Sequence, residues 1–213
     1  MTRYGRRLRF LAAAMAAQAG YVDALGFVEL RGYFVSFMSG NSTRMAVELT
    51  RNAAGAETAG ALVLLFVVGV AAGTAVRRVA RRRPIAVVQA CVALLLFVAA
   101  LAHAGSLDRI AIALMAIAMG AENAAFERDG EVAIGVTYVT GALVKTGQHL
   151  VTALTGGDRT AWLWQAMLWL GLVAGAALGA LAHARWGLSA LWWVTAVAAG
   201  LALTAARIEP TQR

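Results

Sequence analysis

Six apolar runs of 18 to 21 residues divide this chain, at 10–30, 58–76, 85–105, 107–126, 162–181 and 189–206, and arginines cluster between them. A bilayer's hydrocarbon core is about 30 Å thick and takes about 20 apolar residues of helix. It leaves no backbone polar group to water, so helices are the natural way to cross. Each run is long enough. Composition agrees: 61% of residues are hydrophobic and 14% charged, against about 45–50% and about 25% in soluble domains. The expected fold class is all-α, a polytopic membrane helix bundle with about six transmembrane helices, in one integral membrane domain over 1–213.

The net charge of +8 would suit nucleic acid. The basic residues flank the apolar runs, however, without the aromatic interleaving of a nucleic-acid surface. The partner they imply is the lipid bilayer, and no nucleic acid is expected. Cys91 stands alone, so no intrachain disulfide and no metal or cofactor site is expected. Gly-x-Ser-x-Gly, Walker and His-Glu-x-x-His patterns are missing, and the chain does not read as an enzyme. The basic start at 1–9 resembles the opening of a signal peptide, but the apolar run continues through Asp23 to Leu30, which reads as a retained first helix.

Two further segments are interrupted. The segment at 33–49 contains Ser39-Gly40-Asn41-Ser42-Thr43-Arg44, and that at 134–154 contains Thr140-Gly141, Lys145, Gln148 and His149. Charge decides their role. Arg3, Arg6, Arg7 and Arg9 precede the first run, and Arg77, Arg78, Arg81, Arg82 and Arg83 follow the second. Cytoplasmic loops carry such clusters, so an even number of crossings separates them, and 33–49 must enter and return on one side. The same reasoning makes 134–154 re-entrant from the cytoplasmic side, with both termini, including Arg207 and Arg213, cytoplasmic. This arrangement puts 14 basic residues inside and five outside.

The chain repeats itself, in halves of about 9–105 and 107–208. Gly20-Tyr21-Val22-Asp23-Ala24 precedes Phe37-Met38-Ser39-Gly40 and Arg44; Gly120-Ala121-Glu122-Asn123-Ala124 precedes Tyr138-Val139-Thr140-Gly141 and Lys145. The offsets are 100 and 101 residues, and Gly69/Gly73 pairs with Gly171/Gly175 at 102. Three spans per half give the second half the opposite orientation, the inverted-repeat plan of many transporters, with sites near the bilayer midplane.

The run Gly20-Tyr21-Val22-Asp23-Ala24-Leu25-Gly26-Phe27, followed by Phe34-Val35-Ser36-Phe37-Met38-Ser39-Gly40-Asn41-Ser42-Thr43-Arg44, resembles the signature of the YoaK-like family of bacterial inner-membrane proteins. Asn123-Ala124 and Thr137-Tyr138-Val139-Thr140-Gly141 resemble its later motif, with Glu122 where that motif suggests glutamine. The resemblance implies a six-span membrane protein and supplies no substrate.

The candidate pathway residues are Asp23, Ser39, Gly40, Asn41, Ser42, Thr43, Arg44, Glu122, Asn123, Thr140, Gly141 and Lys145. Asp23 within a membrane helix is costly, by about 2.5–3.5 kcal/mol on insertion scales. It reads either as a proton, cation or substrate site or as a structural hydrogen bond to a neighbouring segment. Glu122, near the far end of its helix, reads either as a site residue or as one that reaches the interface. Ser39–Thr43 reads as a helix break, with Asn41 or Ser42 capping the next helix and its positive end facing the membrane interior; the bland alternative is a polar loop. Arg44 either adds charge there or pairs with Asp23. Thr140-Gly141 is the second-half break, which Ala142 and Leu143 cannot cap. One basic residue in each broken segment favours an anionic solute. His149 reads as a proton relay or, more simply, a hydrogen-bonded interfacial residue. The glycine stripes Gly69/Gly73 and Gly171/Gly175/Gly179 read as close helix contacts, and a homodimer is compatible with them. The functional expectation is passage of a small polar or anionic solute; the competing one is a non-transporting structural or partner-binding membrane protein.

Overall fold

The computed structural model describes residues 5–51, 53–80, 82–128, 131–132, 134–137 and 139–209. Arg3, Arg81, Tyr138 and Arg213, used in the charge and motif readings, lie outside the described residues. The helices are α1 Arg6–Glu29, α2 Met38–Glu48, α3 Ala53–Val79, α4 Pro84–Ala104, α5 Asp108–Glu122, α6 Val139–Leu154, α7 Ala161–Trp186 and α8 Leu191–Ile208. Short 3-10 turns extend α5 (Asn123–Phe126) and join α7 to α8 (Gly187–Ala190). A two-residue antiparallel pair, β1 Glu127–Arg128 and β2 Glu131–Val132, leads toward α6.

α1, α3, α4 and α5 with its turn are each long and apolar enough to cross a membrane. A fifth such stretch, Ala161–Ile208, has 48 residues. It breaks at Gly187, whose φ of +55° ends α7, and so supplies two spans. Their outer faces carry large apolar side chains, such as Leu64 and Leu203 at 67% and 65% exposure. In a bilayer these positions meet lipid rather than water.

α2 and α6 have 11 and 16 residues. At 1.5 Å per residue they reach about 16 and 24 Å, short of the ~30 Å hydrocarbon core. The break before α2 is not where the sequence suggested. Ser39–Thr43 lies inside α2, and the irregular segment is 30–37. Arg31 and Gly32 take left-handed φ of 53° and 109°, turning the chain back at the end of α1, and Gly32 N–H closes the turn on the Phe27 carbonyl at 2.7 Å. Neither Asn41 nor Ser42 is the N-cap; Phe37 holds that position with no side-chain cap. Thr140-Gly141 likewise lies inside α6. The polar residues that looked like breaks sit one turn later because α2 is only partly covered: Asn41 is its one buried residue, and hydroxyls of Ser42 and Thr43 bond back to the Met38 and Ser39 carbonyls (2.8 and 3.1 Å).

α1 packs on α7, α3 on α5, and α4 on α8, while α2 lies on α3 and α6 on α7. Glycines set the closest approaches. A Cβ on Gly20 would fall on the Leu172 carbonyl oxygen, and one on Gly120 on that of Phe66. Gly69 and Gly73 face the Ile117 and Ala121 carbonyls; Gly175 and Gly179 face those of Ala17 and Tyr21. Gly69/Gly73 therefore corresponds to Gly175/Gly179, an offset of 106, and not to Gly171/Gly175. Gly171 meets Ala13 one turn earlier, where half one has Leu65 instead. Sequence spacing alone slipped by one turn because three glycines at i, i+4 and i+8 match a pair in two registers.

Polar contacts sort the helix ends into two faces. His183 at the end of α7 lies 2.9 Å from Glu29 at the end of α1. His103, ending α4, lies 2.6 Å from Asp108 at the start of α5 and 3.2 Å from Ser189 in the α7–α8 turn. On the opposite face, Arg77 Nη1 donates to the Ala125 carbonyl (2.9 Å) where α3 and α5 end. There too the Glu209 carboxylate, beyond α8, accepts the Ile85 and Ala86 N–H groups that open α4 (3.0 and 3.1 Å). α1 and α5 thus run in opposite directions. Before α7, Asp158 accepts the N–H and hydroxyl of Thr160 (2.8 and 2.9 Å), and the N–H bond above all holds its carboxyl below the usual range.

Candidate functional site

The extended segment before α2 poses an accounting problem. Its backbone groups have no helix or sheet to bond, and the surrounding lipid offers none. Two side chains solve it. Asp23 Oδ1 accepts the N–H groups of Val35 and Ser36 at 2.8 and 2.7 Å. Asn41, fully buried, accepts the Phe34 N–H (2.9 Å) and donates Nδ2 to the Phe34 carbonyl (2.6 Å). Val35, with no exposed surface, fills the notch left by Gly26, where a Cβ would come within 2.7 Å of it. Phe34 packs on Phe27 at a tilt and on Phe37 edge-to-face, 4.8 and 5.1 Å between ring centroids. Asp23 thus accepts structural hydrogen bonds, through Oδ1, from the segment before α2. Arg44 does not pair with it: its guanidinium donates to the Gly32 carbonyl and lies 4.2 Å over the Tyr33 ring.

A weaker arrangement of similar kind precedes α6. Asn123 sits 100 residues after Asp23; its Oδ1 accepts the Thr137 hydroxyl (2.8 Å) and its Nδ2 donates to the Met119 carbonyl (2.9 Å). Thr137 is the counterpart of Ser36 at an offset of 101. One neutral amide replaces a carboxylate, and one anchor replaces two.

These anchors bring the starts of α2 and α6 to one cavity of about 330 Å3. Ser36, Met38 and Ser39 line it from one half, and their counterparts Thr137, Val139 and Thr140 from the other; Phe37 and Phe66 complete the wall. Phe66 lies at the middle of α3, which puts the cavity between the two faces. Four hydroxyl-bearing residues thus meet beside two helix N-termini. The first turn of a helix carries N–H groups without intrahelical partners and the positive end of the dipole, a combination that holds anions and polar acceptors.

Of the sequence candidates, Ser39 and Thr140 line this cavity. Gly40 packs on the Phe37 and Phe34 rings, and Gly141, behind Thr140, is part of α6. Asp23, Asn41 and Asn123 position the lining segments. Ser42, Thr43, Arg44, Glu122 and Lys145 are not among the lining residues, and Lys145 is exposed on α6. The basic residues therefore do not line the cavity; two helix N-termini lie beside it.

These contacts give the motif Gly20–Phe27 with Phe34–Arg44 a physical role. A family described as "Protein of unknown function (DUF1275)" matches residues 11–204. The chain belongs to the DUF1275 family. A UPF0700 transmembrane protein of Rhizobium meliloti (strain 1021) is 41% identical over 208 residues, covering 95% of this chain and 87% of the relative. No solved structure gives a significant match. The resemblance read from the sequence motifs is thus borne out, and this DUF1275 chain is a multi-pass helical membrane protein.

Sequence reasoning missed two residues that structure brings to Glu122. Glu122 has no exposed surface; Gln18 of α1 donates to its Oε1 at 3.1 Å, and Gln89 of α4 donates to Gln18 Oε1 at 2.8 Å. Both glutamines interrupt otherwise apolar stretches, which was the available signal. Glu122 reaches into the bundle, not to the interface as its position near a helix end suggested.

Proposed function

We propose that this protein passes a small polar solute, anions preferred, across the bacterial inner membrane through the cavity between α2 and α6. The carrying observation is that equivalent residues of both halves, Ser36/Thr137 and Ser39/Thr140, line one cavity at mid-depth beside two helix N-termini. The halves are read as an inverted repeat. Supporting this, the pairs α1–α7 and α5–α3 use matching glycines, and α1 and α5 run in opposite directions. Broken helices meeting near the midplane are a recurring transporter plan, a likeness of architecture only. We read both termini as cytoplasmic; this is supported by Arg77, Arg78, Arg83 and Arg207 on the face holding the ends of α3 and α8, since cytoplasmic loops are basic.

The second reading is a non-transporting, partner-binding membrane protein. It is favoured by Asp23, whose carboxylate is taken up by backbone N–H groups. Reconstituted proteoliposomes separate the two. Swelling in isosmotic salts of small monovalent anions, compared with neutral polyols, is expected to exceed that of empty vesicles. Ser39→Leu with Thr140→Leu, which fills the cavity, is expected to abolish the excess at unchanged folded yield. No protein-dependent flux for any small solute would leave the second reading.

A further inference from the structure

Gln18, Gln89 and Glu122 come from three helices, and all are at most 2% exposed. Their hydrogen bonds run in one direction, from Gln89 Nε2 to Gln18 Oε1 and from Gln18 Nε2 to Glu122 Oε1. Two atoms of the group are left without a partner, Glu122 Oε2 and Gln89 Oε1. Both are oxygens, so no rearrangement between them alone makes a bond: each accepts and neither donates. Buried polar atoms are nearly always paired, and a bare carboxylate in apolar surroundings is costly without an opposite charge.

No cationic side chain reaches Glu122 among the described residues. α1 presents Gln18, and its one carboxylate within the span, Asp23, is engaged by Val35 and Ser36. α4 presents Gln89. Arg77 and Arg78 end α3, and Arg77 is bonded to the Ala125 carbonyl beyond Glu122. The neighbouring turn supplies Asn123, which bonds Met119 and Thr137. The missing component is one positive charge that can also donate one hydrogen bond.

We propose that Glu122, Gln89 and Gln18 form an intramembrane proton-binding site. A proton from water forms an O–H bond on Glu122 Oε2 and neutralises the carboxylate. That hydroxyl then donates to Gln89 Oε1 and closes a ring of three hydrogen bonds; release reverses both steps. Gln89 stands five residues from Pro84 at the start of α4, about 7–8 Å along the helix, so the proton has a short route from the basic face. The site has no counterpart in the other half, where Val22 and Ala118 stand at the positions of Glu122 and Gln18. It stands whether or not the cavity passes a solute, and it moves the expected proton site from Asp23 to Glu122.

Infrared difference spectroscopy of the purified full chain in lipid tests this. A protonated-carboxyl C=O band that shifts in heavy water is expected. It should vanish in Glu122→Gln and persist in Asp23→Asn. Gln89→Leu, which removes the acceptor, should shift the band without abolishing it, and this variant carries the test if Glu122→Gln fails to fold. Absence of the band in the wild type, its persistence in Glu122→Gln, or an unshifted band in Gln89→Leu overturns the proposal. So does a wild-type band that sodium, rather than alkali, removes, which would make the site a sodium site.

Discussion

Asp23 and Ser36 lie thirteen residues apart, yet the Asp23 carboxylate holds the Ser36 N–H at 2.7 Å and the Val35 N–H at 2.8 Å. One acceptor thereby fixes the descent of the chain into the bundle and the start of α2. Asp23→Leu leaves both N–H groups unpaired, at about 1–3 kcal/mol each, and folded yield in detergent should collapse. Asp23→Asn keeps an Oδ1 acceptor and loses only the charge assistance. A melting temperature lowered by a few degrees, with folded protein retained, is the expected result. Equal loss in both variants would show that the charge itself is required.

The glycine contacts predict opposite effects of one substitution at two sites. Gly175→Ala drives a Cβ into the Ala17 carbonyl, so α1 and α7 must separate, at about 1–3 kcal/mol. A methyl group added at Gly147 on α6 would meet nothing within 4 Å; Gly147→Ala should stabilise by roughly 0.5–1 kcal/mol. Thermal denaturation of the two variants side by side checks the pair.

Opposed re-entrant segments predict opposed labelling. With Cys91→Ala as background, Ser42→Cys should react with an impermeant thiol reagent only from outside, and Leu143→Cys only from inside. Right-side-out and inverted vesicles give the comparison. Reaction of both from one face would remove the inverted repeat.

Glu209 closes the start of α4 through two N–H bonds, although it lies 124 residues from Ile85. Glu209→Ala should cost about 0.5–2 kcal/mol, the usual range for a lost N-terminal cap. Glu209→Gln, which keeps one acceptor oxygen, should fall between. Chemical denaturation of the purified protein measures both.

The spans and the interrupted character of the 33–49 and 134–154 segments were legible in the sequence, because lipid imposes a length and a polarity that can be counted along the chain; the family was legible in its motifs. Gly20/Gly120 and Asp23/Asn123 suggest a repeat because chemistry marks a register there. At Gly171 identical small residues leave register undetermined. Ser39 and Thr140, candidate pathway residues by sequence, both line the cavity. They are first-turn residues of intact helices and not helix breaks.

Local sequence also could not say which polar atoms find partners. Asp23 read either as a proton, cation or substrate site or as a structural hydrogen bond, and its Oδ1 accepts the Val35 and Ser36 N–H groups. Glu122 looked interfacial and is buried between Gln18 and Gln89. By itself the sequence determined a membrane bundle of about six spans, because burial in lipid depends on the count of apolar residues along each helix. Tertiary structure alone decided the cavity and the chain of two hydrogen bonds from Gln89 through Gln18 to Glu122, because both join side chains from helices far apart along the chain.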